Sequence, residues 1–394
     1  MQQVDVLIVG AGPAGSTLSH FLHLSNIEHL LIDKALFPRD KTCGDGLTVD
    51  VLNVLKRINP ELLALFKEQN EMLPSWGFCF HGPKGQEVRY DFRDAGVPIA
   101  PFFTSRRIDL DQFLIDQLPQ GGSGRFSAAT ELQGLERNEQ GFIAKIKRED
   151  TVEFIQCRIV IGAEGEKPVV TRHLGLEHFR KKENLLAAIR VYYKDVKDFH
   201  PGNHLEFFFD PAIMPGYLWA FPLTNNEANT GLGMLSADIS TRKINMKKRF
   251  FEVIERNPRI AARFAGAEAL EKPQGWGLPT MSKSRVIGGD GYALIGDAGG
   301  MIESFTGKGI GPGMMSARIA SEFIEGAFAE QNFNFEGFHH YMYDYYSSEM
   351  KNTYRLQKGL RFPWLVNPIM SMATWSVVER NAKDRMIKEF LRWV

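Results

Sequence analysis

Asp5-Val-Leu-Ile-Val-Gly-Ala-Gly-Pro-Ala-Gly15 carries an apolar run straight into three glycines spaced G-x-G-x-x-G. Val6 to Val9 read as a buried strand, and a helix is expected to begin near Pro13 with Leu18, Phe21 and Leu22 on one face. Each glycine meets a different need. Gly10 allows the tight turn, Gly12 lets backbone N–H groups approach a pyrophosphate, and Gly15 lets helix and strand pack closely. Pro13 and Ala14 open the helix, whose free donors and positive dipole end suit phosphate. A second strand, His29 to Ile32, delivers Asp33 and then Lys34, with the acid at about the 20-residue spacing of one that accepts from a ribose hydroxyl. The segment reads as a dinucleotide cradle, but nicotinamide and flavin cofactors share this turn.

The rest of the chain separates them. Tyr292-Ala-Leu-Ile-Gly-Asp-Ala-Gly-Gly300 echoes the opening far downstream, as if the chain held a dinucleotide at its start and closed on it near its end. That pairing points to FAD. No second complete glycine fingerprint follows a strand, so NAD(P)H or another electron donor would visit the flavin from solvent.

Composition narrows the class. The 394 residues are 44% apolar and 24% charged, ordinary for a globular protein of one or two domains able to bury a large cofactor. Lys plus Arg and Asp plus Glu are both 47, so no global field draws the chain to nucleic acid or to an anionic membrane. Cys43, Cys79 and Cys157 are odd in number and lack C-x-x-C spacing, which suggests neither a disulfide framework nor a metal site and fits a reducing cytoplasm. The N-terminus enters the cofactor strand within a few residues, leaving no room for a signal peptide. No stretch is apolar enough to span a bilayer. The nearest approach, Phe362 to Val378, is broken by Pro363, Asn367 and Pro368 and flanked by Lys358, Arg361, Arg380 and Lys383. It suits either a peripheral membrane contact or an aromatic-rich helix pair over the substrate cavity. No pattern specifies the oligomeric state.

Periodicity yields an α/β fold: a discontinuous Rossmann-like FAD-binding domain with an inserted antiparallel β-sheet substrate domain and C-terminal helices. The pieces are 1–75, 100–180 and 283–335 for the cofactor, 76–99 and 181–282 for the substrate sheet, and 336–394 for the helical region. Phe37 to Leu47 reads as an ordered loop before a helix. Trp76 to Phe80 and Val88 to Phe92 alternate like paired strands, and Asp109 to Leu118 form an amphipathic helix. Short strands between Phe126 and Cys157 suggest a meander before Arg158 to Ile161 returns as a buried strand. Ala187 to Tyr193, His204 to Phe209, Tyr217 to Pro222 and Thr230 to Leu235 build the inserted sheet. Arg285 to Ile287 and Tyr292 to Ile295 lead back to the cofactor domain, and Gly311 to Ala327 is a helix. His339-His340 with Tyr341, Tyr343, Tyr345 and Tyr346 fits a packed amphipathic helix better than a metal box, because adjacent helical residues point about 100° apart. Arg180-Lys181-Lys182 reads as a solvated turn.

Two further motifs carry a family likeness. Lys41-Thr-Cys-Gly-Asp-Gly46 and Pro215-Gly-Tyr-Leu-Trp-Ala-Phe-Pro222, together with the flavin motifs, resemble those of the geranylgeranyl reductase family within the p-hydroxybenzoate-hydroxylase-like FAD enzymes. The resemblance covers nearly the whole chain. It implies that Asp297 binds a flavin ribityl hydroxyl, that Gly309 and Ile310 in Phe305-Thr-Gly-Lys-Gly-Ile310 bring backbone N–H groups to the ring edge, and that Arg107 contacts the FAD. It also implies a backbone contact from Leu132 near the adenine. Cys43, Gly44 and Gly46 would lie beside the isoalloxazine, and the Tyr217 strand would line the substrate cavity. The sequence departs from the family at Glu164, where aspartate is frequent, at Pro168, where serine is usual, and at Lys308, whose head is expected in solvent.

The function so implied is an FAD-dependent reductase of carbon–carbon double bonds in an isoprenoid or other apolar lipid. Cys43 and Tyr217 are candidate proton donors, and Trp219 could stabilise cationic character through its π face. Competing expectations are a monooxygenase of an aromatic or polyene substrate using NAD(P)H and oxygen, and a non-catalytic flavin- or lipid-binding protein. A halogenase is disfavoured, since no Trp-x-Trp-x-Ile-Pro strand is present. A long apolar cavity would favour lipid reduction over hydroxylation of a small aromatic.

Overall fold

The computed structural model describes residues 1–167, 169–176 and 182–359. Pro168, the Arg180-Lys181 pair and the 362–378 segment lie outside the described residues. Gln2–Val9 is the central strand, flanked in parallel by Thr151–Gly162 on one side and His29–Ile32 on the other. Gly124–Ser127 extends the sheet beyond His29–Ile32, and Tyr292–Leu294 extends it beyond Thr151–Gly162, both also parallel. Buried on both faces, these strands are near-continuous in Val, Ile and Leu. The crossover helix Pro13–Leu24 begins where the glycine spacing places it.

Between Phe126 and Cys157 the structure departs from the expected meander of short strands. Thr130–Asn138, Gly141–Arg148 and Thr151–Gly162 are long. The last runs unbroken from an antiparallel hairpin, with Arg148 opposite Thr151, into the parallel sheet, with Val9 opposite Gly162. Tight turns at Gly141 and Glu149, both at positive φ, reverse the chain without loops and leave the strands their length. Arg285 to Ile287 is not a strand; Gly288–Gly289 pairs with Tyr292–Leu294 instead. The helix expected from Asp109 starts earlier and spans Arg107–Asp116.

The inserted sheet takes strands from both sides of the cofactor domain in sequence. Its order is Glu268–Ala269, Leu185–Lys194, Glu227–Leu235, Tyr217–Pro222, Leu205–Phe208, Gly77–His81 and Glu87–Asp91, with Gln274–Pro279 also on Leu185–Lys194. It is antiparallel except where Leu205–Phe208 meets Gly77–His81. Helices Met246–Arg256 and Pro258–Phe264 cover one face, burying Phe250, Val253, Ile254 and Ile260 against Leu218, Ala220 and Leu232. A three-stranded sheet of Gly46–Leu47, Phe102–Thr104 and Leu73–Ser75 ends the polar loop in a short strand.

Helix Ile310–Glu330 lies against the opening helix. Glu336–Gly359 is the packed amphipathic helix expected, with Phe338, Met342 and Tyr346 buried and Tyr341 and Tyr345 exposed. Among the described residues, no helix is long and apolar enough to cross a membrane.

Candidate active site

The parallel sheet brings four loops to one edge. Val9 is in register with Gly162 and with Ile32, and Gly162 with Leu294. The turns at Gly10, Asp33, Ala163-Glu164-Gly165 and Gly296-Asp297 therefore all emerge at the carboxyl ends of the strands, where open α/β sheets bind ligands. They line a cavity of about 460 Å³ together with Gly12, Pro13, Ala14, Lys34, Arg107, Gly309 and Ile310. Two helices point their N-termini at it. Neither Gly12, which caps Pro13–Leu24, nor Gly309, which caps Ile310–Glu330, receives a side-chain cap, so the first-turn N–H groups suit an anionic ligand.

The cavity fits a dinucleotide at each point where the residues can be tested. A Cβ on Gly12 would meet only the Arg107 and Arg39 guanidinium groups, at 3.7 Å, so that position faces the cavity and its cations rather than packed backbone. Asp33 already holds its own loop, accepting from the Ala11 and Ala35 N–H groups at 2.9 Å each, and its remaining lone pairs can serve a ribose. Asp297 is held by the Lys41 ammonium at 3.0 Å, a contact absent from the sequence reading. Arg107 is buried and clamped by Asp111, with Nε to Oδ1 at 2.7 Å. Glu164 lines the same cavity and accepts from the Val170 N–H at 2.8 Å; burial pushes its carboxyl up to about 7. Gly15 lies behind the cradle, and Leu132 is a buried core residue that does not line the cavity.

A second cavity, of about 620 Å³, adjoins the first. Cys43, Gly44 and Gly46 border it from the polar loop, Tyr217, Trp219 and Phe221 from their strand, and Phe78, Phe80, Phe102 and Phe207 from neighbouring elements. The strand's period-2 alternation sets this division: Leu218 and Ala220 enter the core on the other face. Thr42, Trp276, Leu278, Gly307, Gly309 and Ile310 border both cavities.

The polar groups of this second site are largely committed. The Tyr217 hydroxyl donates to the Thr306 carbonyl, and burial raises its pKa. Cys43 is half-buried; burial first and then the Asp45 charge push its thiol up. The Lys308 head, expected in solvent, remains partly exposed and donates to Asp50 at 3.0 Å, because the helix Val49–Ile58 brings a carboxylate beside it. Sequence reading missed Asp45, Tyr192, Arg190 and Asn229, which form a buried polar group behind the Cys43 loop. Only Asp45 carried a local signal, an acid between two glycines.

The family model for an FAD binding domain matches residues 3–323. The chain belongs to that family. Digeranylgeranylglycerophospholipid reductase 1 of Methanothermobacter thermautotrophicus is 29% identical to this flavoprotein over 329 residues, covering 83% of this chain and 78% of its own. The menaquinone reductase of Mycobacterium tuberculosis is 29% identical over 336 residues, covering 82% and 76%. A geranylgeranyl bacteriochlorophyll reductase-like protein from Thermoplasma acidophilum shares the fold over 100% of both chains, with a TM-score of 0.81 at 20% identity. The flavoprotein is an FAD-dependent oxidoreductase with reductase relatives, as its motifs suggested.

Proposed function

We propose that this flavoprotein saturates carbon–carbon double bonds of an isoprenoid or other long apolar lipid. The carrying observation is the wall shared by the dinucleotide cavity and the aromatic one, since a ring reaching that wall would meet an alkene held on the other side. Reduced FAD, bound there, supplies a hydride.

The chain's own residues hold and orient. Gly10, Gly12, Pro13, Ala14 and the uncapped helix N-termini would take the phosphates, and Asp33, Lys34, Arg107 and Asp297 would place the remainder. Tyr217, through Thr306, steadies the loop leading to Gly309 and Ile310. Trp219 and Phe221 exclude water and align the apolar chain, and the indole face can stabilise positive charge developing on the alkene. The lipid reductases among the relatives support this substrate class. The electron donor, NAD(P)H or another reductant, reaches the flavin from solvent, and residues 362–378 serve as the peripheral contact through which a cytoplasmic protein takes lipid from a membrane.

Incubating the FAD-loaded protein with dithionite and geranylgeranyl lipids tests this reading. Products heavier by pairs of hydrogens are expected; no mass gain on any polyprenyl lipid, with flavin bound, removes it. Oxygen-dependent NAD(P)H oxidation with a hydroxylated product would establish monooxygenase chemistry instead.

A further inference from the structure

Saturating an alkene requires a proton as well as a hydride, and the buried group behind the Cys43 loop can provide one. We propose that Asp45, held by Tyr192 and Asn229, is the acid that delivers this proton, an assignment that rests on the reductase reading. Asp45 borders the aromatic cavity. It is fully buried and sits on left-handed backbone, at φ 62°.

The hydrogen-bond directions locate its proton. Asp45 Oδ2 is 2.6 Å from the Tyr192 hydroxyl and 2.7 Å from Asn229 Nδ2. Arg190, which can only donate, gives to the Tyr192 oxygen at 2.8 Å, so the hydroxyl hydrogen points at Asp45. Trp219 Nε1, also only a donor, gives to Asn229 Oδ1 at 2.8 Å. The amide must therefore turn its NH2 toward Asp45 and toward the Cys43 carbonyl, at 2.8 Å. Oδ2 accepts from two donors, which leaves the carboxyl hydrogen to Oδ1, buried and, among the described residues, without a hydrogen-bond partner. A charged oxygen there would be desolvated and unsatisfied.

Burial raises this carboxyl to about 7, against the lowering influence of Tyr192, Asn229, Arg190 and Arg107. The surrounding groups do not titrate with it. Arg190 and Arg107 remain charged; Tyr192 and the Cys43 thiol are pushed upward by burial and by Asp45. Asp40 and Glu271 lie beyond Arg190 and are paired to it. Within this cluster Asp45 therefore changes charge near neutrality by itself; Glu164, in the dinucleotide cavity, is a separate carboxyl raised to about 7.

In the step, the hydride from reduced flavin forms a C–H bond at one alkene carbon while the π pair forms a second with the Asp45 proton. The O–H pair stays on Oδ1, the alkene gains two electrons and the flavin loses them. Tyr192 and Asn229 then hold a carboxylate, which a solvent proton restores. The Tyr217 hydroxyl, committed to Thr306, and the weakly acidic Cys43 thiol are poorer sources.

Asp45→Asn keeps the shape, tolerates the left-handed backbone and removes the acid. In FAD-loaded protein, anaerobic reoxidation of dithionite-reduced flavin by a geranylgeranyl lipid should slow as pH rises through about 7. The variant should retain flavin, react about 10²–10⁴-fold more slowly and lose that pH break. Tyr192→Phe, which strips a donor that favours the carboxylate, should move the break to higher pH. Glu164, also raised to about 7, contributes its own carboxylic acid band to both proteins, so the infrared difference between wild type and Asp45→Asn should show a second buried carboxylic acid band that fades over the same pH range. A variant with the wild-type rate and pH break, or a wild type and Asp45→Asn whose infrared spectra at neutral pH show no such difference band, overturns the proposal. A wild type that binds flavin but reduces no polyprenyl lipid ends the reductase reading, and the infrared titration then decides by itself whether Asp45 holds the proton.

Discussion

Gly12 and Gly15 belong to one turn of chain yet answer to different constraints. A methyl group on Gly12 would project toward guanidinium groups 3.7 Å away, whereas one on Gly15 would lie 1.8 Å from the Gly10 carbonyl oxygen. Gly12→Ala should therefore fold with the stability of the wild-type apoprotein and bind FAD at least ~10-fold more weakly, since the methyl fills phosphate space. Gly15→Ala should lower stability itself by about 1–3 kcal/mol, and calorimetry with flavin titration separates the two. Asp45 leaves a second signature. Its folded pKa of about 7 exceeds the ordinary 3.8, so the folded apoprotein binds more protons between those values and its stability falls as pH rises through that window. Relative to wild type, apo Asp45→Asn should gain stability with rising pH, by the order of a few kcal/mol above pH ~8; a difference independent of pH would contradict this. The glycines, Asp33 and Asp297 were readable because each stands in a short motif at the end of a strand. Asp45 was not, for its donors are 147 and 184 residues away, and neither a tyrosine nor an asparagine in a strand marks itself.

At the scale of the element, the strand Tyr217–Pro222 separates two apolar environments, and its neighbour makes room for it. Trp219 stands opposite Gly231, and a Cβ at Gly231 would come within 2.1 Å of the indole and 2.3 Å of the Ile189 carbonyl oxygen. Gly231→Val should displace Trp219, destabilise the sheet by about 1–3 kcal/mol and abolish lipid reduction while the distant cradle keeps its flavin; unchanged tryptophan fluorescence would contradict it. Period-2 patterns made these strands readable, since one face meets the cavity and the other the core. The helices Met246–Arg256 and Pro258–Phe264 escaped a reading directed at strands, although Phe250, Val253 and Ile254 carry helical spacing. The long hairpin strands before Gly162 were misread as short ones because turn-forming residues within them marked breaks that pairing overrode.

Across the whole molecule, Arg190 links the two parts of the site. Buried to 1% exposure, it reaches from the inserted sheet to Asp40 at 2.8 Å, in the loop leading to the cradle, and to Glu271 at 3.0 Å. Arg190→Met should cost about 2 kcal/mol in denaturant unfolding, less than a fully enclosed pair because Asp40 keeps contact with water. It should also reduce lipid turnover more than flavin binding. Such a link, like the wall common to the two cavities, could not be read from sequence, because it exists only once distant segments are assembled. In the proposed reaction that wall joins the cofactor to an alkene, and the fate of reduced flavin without oxygen tests it most directly. Anaerobic protein carrying dithionite-reduced FAD should be reoxidised on mixing with a geranylgeranyl lipid, at a rate that rises with lipid concentration, as the lipid gains hydrogens in pairs. Flavin that stays reduced against every polyprenyl lipid, and is reoxidised only when oxygen is admitted, would contradict the account.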